Sequence, residues 1–457
     1  MLGSFMGATD SSIVIISLTT ISRYFNASTS EVSWVMIAYL LAITGFLIPF
    51  GRLGDVKGRK KIFIAGFALF TASSFFCGAA TSLPELILFR ALQGIGGAMI
   101  TATGPALLSV SLPECVRGRA LGYLSASSAL GLAAGFGLGG LIISLLSWQW
   151  IFFINVPVGL CAVIIAYFFI PHDAGQQKTQ GTFDLPGALL VLLAAGLFIY
   201  ALSFGEELGW TSLRILFTFA LSVIFSTIFV ILELRTPVPL LQLRLLKSPG
   251  ISLGIGAAML NRLVLSGTAY LIPNYLELMK GYSPGFTGLL LLVPSLLIMI
   301  AAPVSGTLSD RIGSRWLCTL AGAFLFFAVL IFVLFDHTIV LILIILALAL
   351  RGISMGLFSP PNFRLILTST PADQKGSASA LWYFSRYLAS AIGIVVFETA
   401  LDRRIRGDEP EGVTGAIHLF HSIAELEIAF DHAFLVGIFF IIGMIVLTAM
   451  LREEKYR

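Results

Sequence analysis

Charged residues are scarce in this sequence. Asp, Glu, Lys and Arg make up 11% of its 457 residues, whereas 57% of the residues are hydrophobic. A typical soluble protein carries about 25% charged residues, and a soluble fold of this size could not cover its surface with so few. Disorder is excluded as well, because 12% of the residues are aromatic and the apolar runs are long. A polytopic membrane protein remains.

Features of several other protein classes are also missing. The net charge is only +4 and the basic residues are scattered, which argues against nucleic-acid binding. The four cysteines have no paired spacing, so they predict neither a disulfide framework nor a metal site. A Walker-type Gly-Lys-Ser or Gly-Lys-Thr does not occur, so ATP is not an expected partner.

Apolar stretches bounded by charges, Pro or Gly recur along the whole chain, each with about the 20 residues that a transmembrane helix needs. The fourteen stretches lie at 2–22, 32–50, 62–80, 86–111, 119–146, 151–170, 185–205, 213–233, 249–279, 285–307, 316–335, 338–362, 377–401 and 430–451. They are predicted to be helices, because lipid offers no hydrogen-bond partner to an open strand edge. The predicted fold class is an all-α polytopic membrane protein. Since the first stretch begins at Leu2, it stays open whether residues precede Met1.

The basic residues predict the orientation. With the N-terminus in the cytoplasm, most of the 28 Lys and Arg residues fall in cytoplasmic loops, as the positive-inside rule requires. Both termini are then expected on the cytoplasmic side of the cytoplasmic membrane. Four arginines lie inside spans: Arg90, Arg262, Arg351 and Arg386.

An internal repeat divides the chain. The stretch Gly51–Gly58 recurs as Gly306–Gly313 at an offset of 255, and Gln93-Gly94-Ile95 recurs as Arg351-Gly352-Ile353 at an offset of 258. The nearly constant offset indicates two homologous halves of six spans in the same orientation. Many transporters are built from two such bundles, which rock about a site at the membrane midplane.

The repeat predicts three domains. A first six-helix bundle is expected at 1–170, a linker with two extra spans at 171–248, and a second six-helix bundle at 249–457.

The repeated glycine-containing stretch is predicted to be a cytoplasmic loop. Its glycines allow a tight turn, its acid can pair with an arginine or a helix N-terminus, and its basic residues bind the anionic inner surface. A topogenic positive loop would explain one copy, whereas two copies favour a gating role. The motif residues are Gly51, Asp55, Gly58 and Arg59 in the first copy and Gly306, Asp310, Arg311 and Gly313 in the second.

This loop pattern resembles the signature of the major facilitator superfamily. Arg90–Gly97 resembles the fourth-span motif of its drug:proton antiporters, and Trp148–Gly159 resembles the junction of the fifth and sixth spans in the fourteen-span EmrB/QacA-type subfamily. Phe183–Gly187 and Gly281–Pro284 resemble further motifs of that subfamily. The resemblance covers nearly the whole chain. It implies two six-helix bundles with two linker helices, and a proton-driven exporter of amphipathic small molecules.

The fifth span carries a ridge of glycines that departs from the family pattern at one position. Gly131, Gly135 and Gly139 lie one turn apart, followed by Gly140, and such a ridge allows close helix contact. Phe136 stands where the antiporter motif has a proline, and loss of the proline removes a built-in kink. Export and uptake therefore both stay open.

Asp10 lies near the middle of the first span and has two interpretations. An ionisable residue at the bilayer centre costs about 2.5–3.5 kcal/mol on insertion scales, so it must be paired, exposed to water or functional. Asp10 is either a carboxylate that gains and loses a proton, because burial disfavours its charged form, or a permanent salt-bridge partner of an arginine. Arg90 is the candidate that tunes Asp10 or relays charge, and Gln93 lies one turn further on the same face.

The remaining intramembrane charges are candidates for lining the cavity. Arg351 occupies the repeat position of Gln93, and both Arg351 and Arg386 could instead hold helices together through backbone carbonyls. Arg262 matches no family pattern and would, if it faces the cavity, repel cations and suit an anionic or neutral substrate. Glu277, in the last turn of its span, either attracts cations or is a solvated helix end.

Secondary transport is favoured over two other classes of function. A membrane-embedded enzyme would need buried histidines or Lys and Glu relays, whereas the histidines and lysines here lie in loops or at span ends. A sensor or scaffold would need a soluble domain, which does not fit beside fourteen spans. We expect proton-coupled export of small amphipathic, drug-like molecules by alternating access. The alternative is proton-coupled uptake or export of one specific metabolite, either anionic or neutral.

The expected partners follow from this function. They are a small-molecule substrate, protons and the lipid bilayer, with a monomer as the working unit. The proton gradient is the expected energy source, and no cofactor, metal, ATP or nucleic acid is expected.

Overall fold

The computed structural model describes residues 1–111, 114–170, 185–236, 241–335, 340–371, 374–406 and 423–451, and within these ranges the regular structure is helical. The helices are α1 (Leu2–Phe25), α2 (Thr29–Lys57), α3 (Arg59–Ala79), α4 (Leu83–Ser111), α5 (Glu114–Leu145), α6 (Trp150–Phe153), α7 (Asn155–Phe169), α8 (Leu185–Leu208), α9 (Leu213–Arg235), α10 (Pro249–Leu278), α11 (Pro284–Ile312), α12 (Ser314–Phe335), α13 (Leu341–Thr368), α14 (Lys375–Arg406) and α15 (Ile423–Met450), with a 3-10 helix at Leu243–Lys247.

The predicted all-α polytopic class is confirmed. Among the described residues, 13 helical segments are long and apolar enough to cross a membrane. The one remaining predicted span, 185–205, corresponds to α8, whose apolar part, Leu189–Gly205, is shorter. The predicted span at 151–170 consists of two helices, α6 and α7, which break at Ile154. Pro157 lies just after this break, where its missing N–H cannot continue the hydrogen-bond ladder of α6.

The repeated motif is mostly helical, so the prediction of a loop is wrong for most of its length. Helix α2 runs to Lys57 and α11 runs to Ile312, because a helix satisfies its backbone groups where the membrane would leave a loop unpaired. Only the last glycine of each copy makes the turn: Gly58 has φ 103° and Gly313 has φ 86°. Positive φ strongly favours glycine.

The described chain forms two compact units. The first is Met1–Ala27, Glu31–Phe198 and Leu216–Leu240, and the second is Ser28–Ser30, Ile199–Ile215 and Leu241–Arg457. The first unit pairs α1 with α5, and α3 with α4 and α7. The second unit pairs α10 with α14, and α12 with α13 and α15. Counted as spans, with α7 as the sixth span of the first half and α15 as that of the second, the two halves therefore pair their helices in the same way.

The two halves share close contacts between a glycine of one helix and a backbone carbonyl of another. A Cβ on Gly94 of α4 would lie 2.5 Å from the carbonyl oxygen of Tyr39 on α2. A Cβ on Gly352 of α13 would lie 2.6 Å from the carbonyl oxygen of Pro294 on α11. Since these pairs are related by the sequence offsets 258 and 255, the repeat conserves the contact of the second helix with the fourth.

The fifth helix of each half is held against the first helix in the same way. A Cβ on Gly135 would meet the carbonyl of Thr9, and a Cβ on Gly393 would meet the carbonyl of Leu263. These contacts relate α1 to α10 by an offset of 254, so Asp10 corresponds to Val264 in the second half.

The glycine ridge of α5 faces α1 along its length. A Cβ on Gly131 would collide with the backbone of Phe5, and one on Gly139 would lie 2.8 Å from the side chain of Ile13. Thr9 adds a hydrogen bond of 3.0 Å from its hydroxyl to the carbonyl of Gly131. Gly140 is buried. This ridge brings the first helix, which carries Asp10, close to α5.

We expect Gly135→Ala to lower the melting temperature of the purified protein in detergent. The added methyl would lie 2.5 Å from the carbonyl oxygen of Thr9, so α1 and α5 must separate, at a cost of about 1–3 kcal/mol. Gly7→Ala is the matched control, since nothing lies within 4 Å of its Cβ position. Equal melting temperatures of the two variants would contradict the close packing of α1 on α5.

Candidate functional site

Asp10 is fully buried in the first unit and accepts hydrogen bonds from three side chains. Its exposed fraction is 0%. One carboxylate oxygen, Oδ2, accepts from Nη1 of Arg90 at 2.7 Å. The other, Oδ1, accepts from Nε2 of Gln93 at 2.9 Å and from Nδ2 of Asn155 at 3.0 Å. The donors come from α4 and α7, so the carboxylate of α1 ties three helices together.

Arg90 is as deeply buried as its partner. Its exposed fraction is 0%, and Nε donates to the carbonyl of Val35 on α2 at 2.9 Å. Its guanidinium carbon lies 4.3 Å from the ring centre of Tyr39, a cation–π contact. Nη2 has no hydrogen-bond partner in the described residues. The aromatic face therefore provides the remaining stabilisation of the cation.

Gln93 connects the ion pair to a second layer of polar groups. Its Oε1 accepts from Arg90, and its Nε2 donates to Oγ of Ser74 on α3 at 2.8 Å as well as to Asp10. The Sγ of Cys77 lies 3.9 Å from Oε1. The amide thus bridges acid and base and holds both at fixed positions.

Donors surround the Asp10 carboxylate. Among the described residues its partners are the side chains of Arg90, Gln93 and Asn155, and each of them donates a hydrogen bond to it. Taking both charges out of water costs free energy, and removing one partner of a buried pair destabilises the protein further. Separating Asp10 from Arg90 is therefore unfavourable, and the pair holds α1 and α4 in one arrangement.

Asn155 was not among the residues predicted for this site. In the sequence it lies within the motif at the junction of the fifth and sixth spans. A signal was available, because an amide at the head of an otherwise apolar helix is unusual in lipid and needs a partner. That its partner is Asp10, 145 residues away, depends on how α7 packs beside α1.

The residues of the repeated motif lie at helix ends near α4 and α13. A Cβ on Gly54 would lie 3.0 Å from the Thr103 side chain on α4. In the second copy, Nη1 of Arg364 on α13 donates to the carbonyl of Ser309 on α11. Arg311 is exposed, and Gly306 has only one neighbour near its Cβ position, Pro360 at 4.0 Å.

The structure defines fewer contacts for the other predicted motif residues. Gly51 has the side chain of Ala102 as its neighbour at 3.8 Å, and Arg59 is half-buried. The side chains of Asp55 and Asp310 lie outside the described residues, so their predicted pairing has no structural counterpart here.

The other predicted charges belong to the second unit. Arg351 is buried on α13, Arg262 and Arg386 are half-buried on α10 and α14, and Glu277 is half-buried near the end of α10. The structure thus brings Asp10, Arg90 and Gln93 together. In the part of the chain that the structure describes, no group of three or more His, Cys, Asp or Glu could hold a metal ion.

Comparisons with known proteins agree with this architecture. Residues 1–394 match the sequence model of the Major Facilitator Superfamily. The multidrug resistance protein Stp of Mycobacterium tuberculosis is 31% identical over 401 residues, which are 88% of this chain and 74% of that protein. The riboflavin transporter RibZ of Clostridioides difficile is 30% identical over 87% of this chain and 86% of that protein.

A solved structure gives the same fold. A bacterial homologue of the human lysosomal transporter Spinster has a TM-score of 0.70, covering 98% of this chain and 95% of that chain, at 15% identity. At this identity the likeness concerns the fold alone.

We expect Arg90→Gln to be strongly destabilising, because it leaves the Asp10 carboxylate buried without a cation, at a cost of about 3–5 kcal/mol. Asp10→Asn introduced into the same background should recover part of the lost stability, since the unpaired charge is then gone. Melting temperatures of wild type, both single variants and the double variant measure this coupling. Strictly additive effects would show that the two side chains do not interact.

Proposed function

This chain belongs to the major facilitator superfamily, and we propose that it is a proton-coupled exporter of small amphipathic molecules. It is a multi-pass membrane transporter and not an enzyme. Its similarity to multidrug exporters such as Stp, which extends over 88% of the chain, supports export. The observation that carries the proposal is the buried carboxylate of Asp10, held by donors from α4 and α7.

Protonation of Asp10 would change the packing of the first bundle. The ionised carboxylate attracts Arg90 across 2.7 Å in a dry interior, where charges interact more strongly than in water. A protonated Asp10 no longer neutralises Arg90, and its O–H points at groups that are themselves donors. The contacts between α1, α4 and α7 then rearrange, so that the proton selects between two packings of the bundle.

The same switch couples protons to substrate in the proposed cycle. One packing exposes the substrate site to one side of the membrane, and the other packing exposes it to the opposite side, as in alternating access. The proton gradient supplies the energy, without ATP or a cofactor. The working unit is a monomer in the cytoplasmic membrane, with both termini in the cytoplasm.

A second candidate function is proton-coupled uptake or export of one specific, anionic metabolite. Three arginines within the spans of the second unit favour it, because they repel cations and attract anions. The riboflavin transporter RibZ, at 30% identity, further supports a relation to carriers of single metabolites. Phe136, which replaces the proline of the antiporter motif, is compatible with either direction of transport.

We expect Asp10→Asn to abolish transport driven by a pH gradient in proteoliposomes, because an amide cannot gain or lose the proton. The probe is whichever of Nile red, ethidium and riboflavin the wild-type protein moves. Counterflow of the same probe without a pH gradient is the control, and it should persist if the protein is folded. Unchanged gradient-driven transport in Asp10→Asn would refute the role of Asp10.

The sign of the pH gradient distinguishes the two candidate directions. An antiporter accumulates the probe in vesicles with an acidic lumen, because protons leave as the probe enters. A symporter accumulates it in vesicles with an alkaline lumen. Accumulation under the acidic-lumen condition is expected, and accumulation only under the opposite condition would assign the protein to symport.

A further inference from the structure

Three arginines of the second unit make a closed set of contacts between three helices. Arg262 on α10 donates from Nε to Oγ of Ser390 on α14 at 2.7 Å. Arg386 on α14 approaches Oγ of Ser359 on α13, with 3.5 Å between Nη1 and the hydroxyl oxygen. Arg351 on α13 completes the set by binding α10. We call Arg262, Arg351 and Arg386 the arginine triangle.

Arg351 joins α13 to α10 through two hydrogen bonds. Its Nη2 donates to the carbonyl of Leu265 at 2.7 Å, and its Nε donates to Oγ1 of Thr268 at 3.2 Å. Arg262 is within electrostatic reach of both other arginines. Three positive charges therefore meet among α10, α13 and α14.

No carboxylate neutralises the arginine triangle in the described residues, where the hydrogen-bond partners of all three arginines are hydroxyl and carbonyl oxygens. Glu277 follows Arg262 by fifteen residues on α10, and Glu398 follows Arg386 by twelve on α14. At 1.5 Å per residue these acids lie about 22 and 18 Å away along the helix axes. Among the described residues of the second unit, the positive charge of the triangle is thus uncompensated.

The equivalent place in the first unit is neutralised. Arg351 corresponds to Gln93 in the repeat, and Val264 corresponds to Asp10. The second half therefore carries a cation where the first has an amide, and an apolar residue where the first has the acid. Since the backbone contacts of the two halves match, the difference lies in the side chains.

The arginine triangle has N–H groups that donate no hydrogen bond within the described residues. Arg262 uses only its Nε, and Arg386 makes only the long contact to Ser359, so most of their N–H groups have no partner in the described ranges. Both side chains are half-buried, which leaves these groups accessible, whereas Arg351 is 8% exposed. The planar fork of a guanidinium matches the oxygens of a carboxylate or phosphate.

Asn261 adds an independent sign of a ligand site. It is 0% exposed, and neither its Oδ1 nor its Nδ2 has a hydrogen-bond partner in the part of the chain described. It lies on the same face of α10 as Leu265 and Thr268, the residues that contact Arg351. A buried amide without a partner is costly, and Asn261 lies one helical turn before Leu265, whose carbonyl binds Arg351.

Aromatic rings lie beside the triangle. The guanidinium carbon of Arg386 is 4.5 Å from the ring centre of Trp382. Tyr383 packs against Trp382 with 5.0 Å between ring centres, and Phe363 packs against Trp382 at 4.6 Å. Tyr383 is 37% exposed. An apolar wall therefore adjoins the cationic donors.

We propose that the arginine triangle binds an aromatic organic anion. Its carboxylate or phosphate oxygens accept from Arg262, Arg351 and Arg386, and its apolar body contacts Trp382 and Tyr383. This proposal rests on the proposed function in taking the bound anion as the transported molecule. Binding itself needs neither a proton gradient nor Asp10, so it can be tested separately.

The test compares 2-naphthoate with 2-naphthamide, which share one ring system and differ in charge, on the purified full chain in neutral detergent. Calorimetric titration should show naphthoate binding at least about tenfold more tightly than the amide, since charge-assisted hydrogen bonds are the strong ones. Arg262→Gln should weaken naphthoate binding about tenfold or more and leave the amide unchanged. Arg262→Lys should retain part of the preference.

Arg214→Gln is the matched control, because it removes the same charge from an exposed position on α9, and it should keep wild-type affinity for naphthoate. Arg262→Gln should melt no lower than wild type, since it removes an uncompensated charge, and this separates lost binding from misfolding. Equal affinity for naphthoate and the amide, or a preference that survives in Arg262→Gln, would overturn the proposal.

An anionic lipid headgroup has the same chemistry and is distinguished by a second arm. The protein is placed in nanodiscs of phosphatidylcholine, with and without phosphatidylglycerol. Naphthoate binding that is equal in both supports a soluble organic anion. Naphthoate binding that is abolished by phosphatidylglycerol, together with stabilisation by this lipid in wild type and not in Arg262→Gln, would overturn the assignment to a transported molecule.

Discussion

The cost of placing charge in a medium without water governs this protein. A membrane interior offers an ion neither hydration nor screening, so each buried charge must find its compensation among neighbouring side chains. Asp10 and Arg90 compensate each other: neither has any exposed surface, and amides from α4 and α7 and a carbonyl from α2 add hydrogen bonds to the pair. The packing of the first bundle depends on this compensation, because each partner would be an unpaired charge without the other.

The two halves share a backbone plan and differ in how they treat charge. Glycines bring the fourth helix against the second and the fifth against the first in both halves, at corresponding positions. Within that plan, the first half neutralises its arginine with Asp10, whereas the second half has Val264 at the corresponding place and keeps three arginines bound to hydroxyls and carbonyls. A carboxylate can bind a proton, whereas arginines without a neighbouring acid can bind an anion. The proposed division is proton binding in the first half and anion binding in the second.

Close packing and chemistry are linked through the glycine ridge. Gly131, Gly135 and Gly139 let α5 approach the backbone of α1 on either side of Asp10. A bundle held by such contacts has little freedom to adjust gradually, because a dense interior repacks in steps. A change in the charge of one carboxylate can therefore favour a different arrangement of whole helices.

Hydropathy and repetition in the sequence determined much of this protein. Long apolar runs define the spans, because lipid admits only helices with internally satisfied backbones, and the offset of the repeat defines the halves. The sequence also singled out Asp10, Arg90 and Gln93, since an ionisable side chain in an apolar run must have a purpose or a partner. The glycine motif showed where this reasoning is weaker: composition indicated a loop, but helical hydrogen bonding continues to Lys57 and only Gly58 turns.

Tertiary structure alone decided which side chains meet. Asn155 reaches Asp10 across 145 residues, and Arg351 reaches Leu265 across 86. Such contacts depend on the rotation of each helix and on the neighbour against which it packs, and in an all-round apolar helix the sequence carries little information about either. The pairing of Asp10, and the lack of an acid beside the arginine triangle in the described part of the chain, therefore follow only from the packed helices.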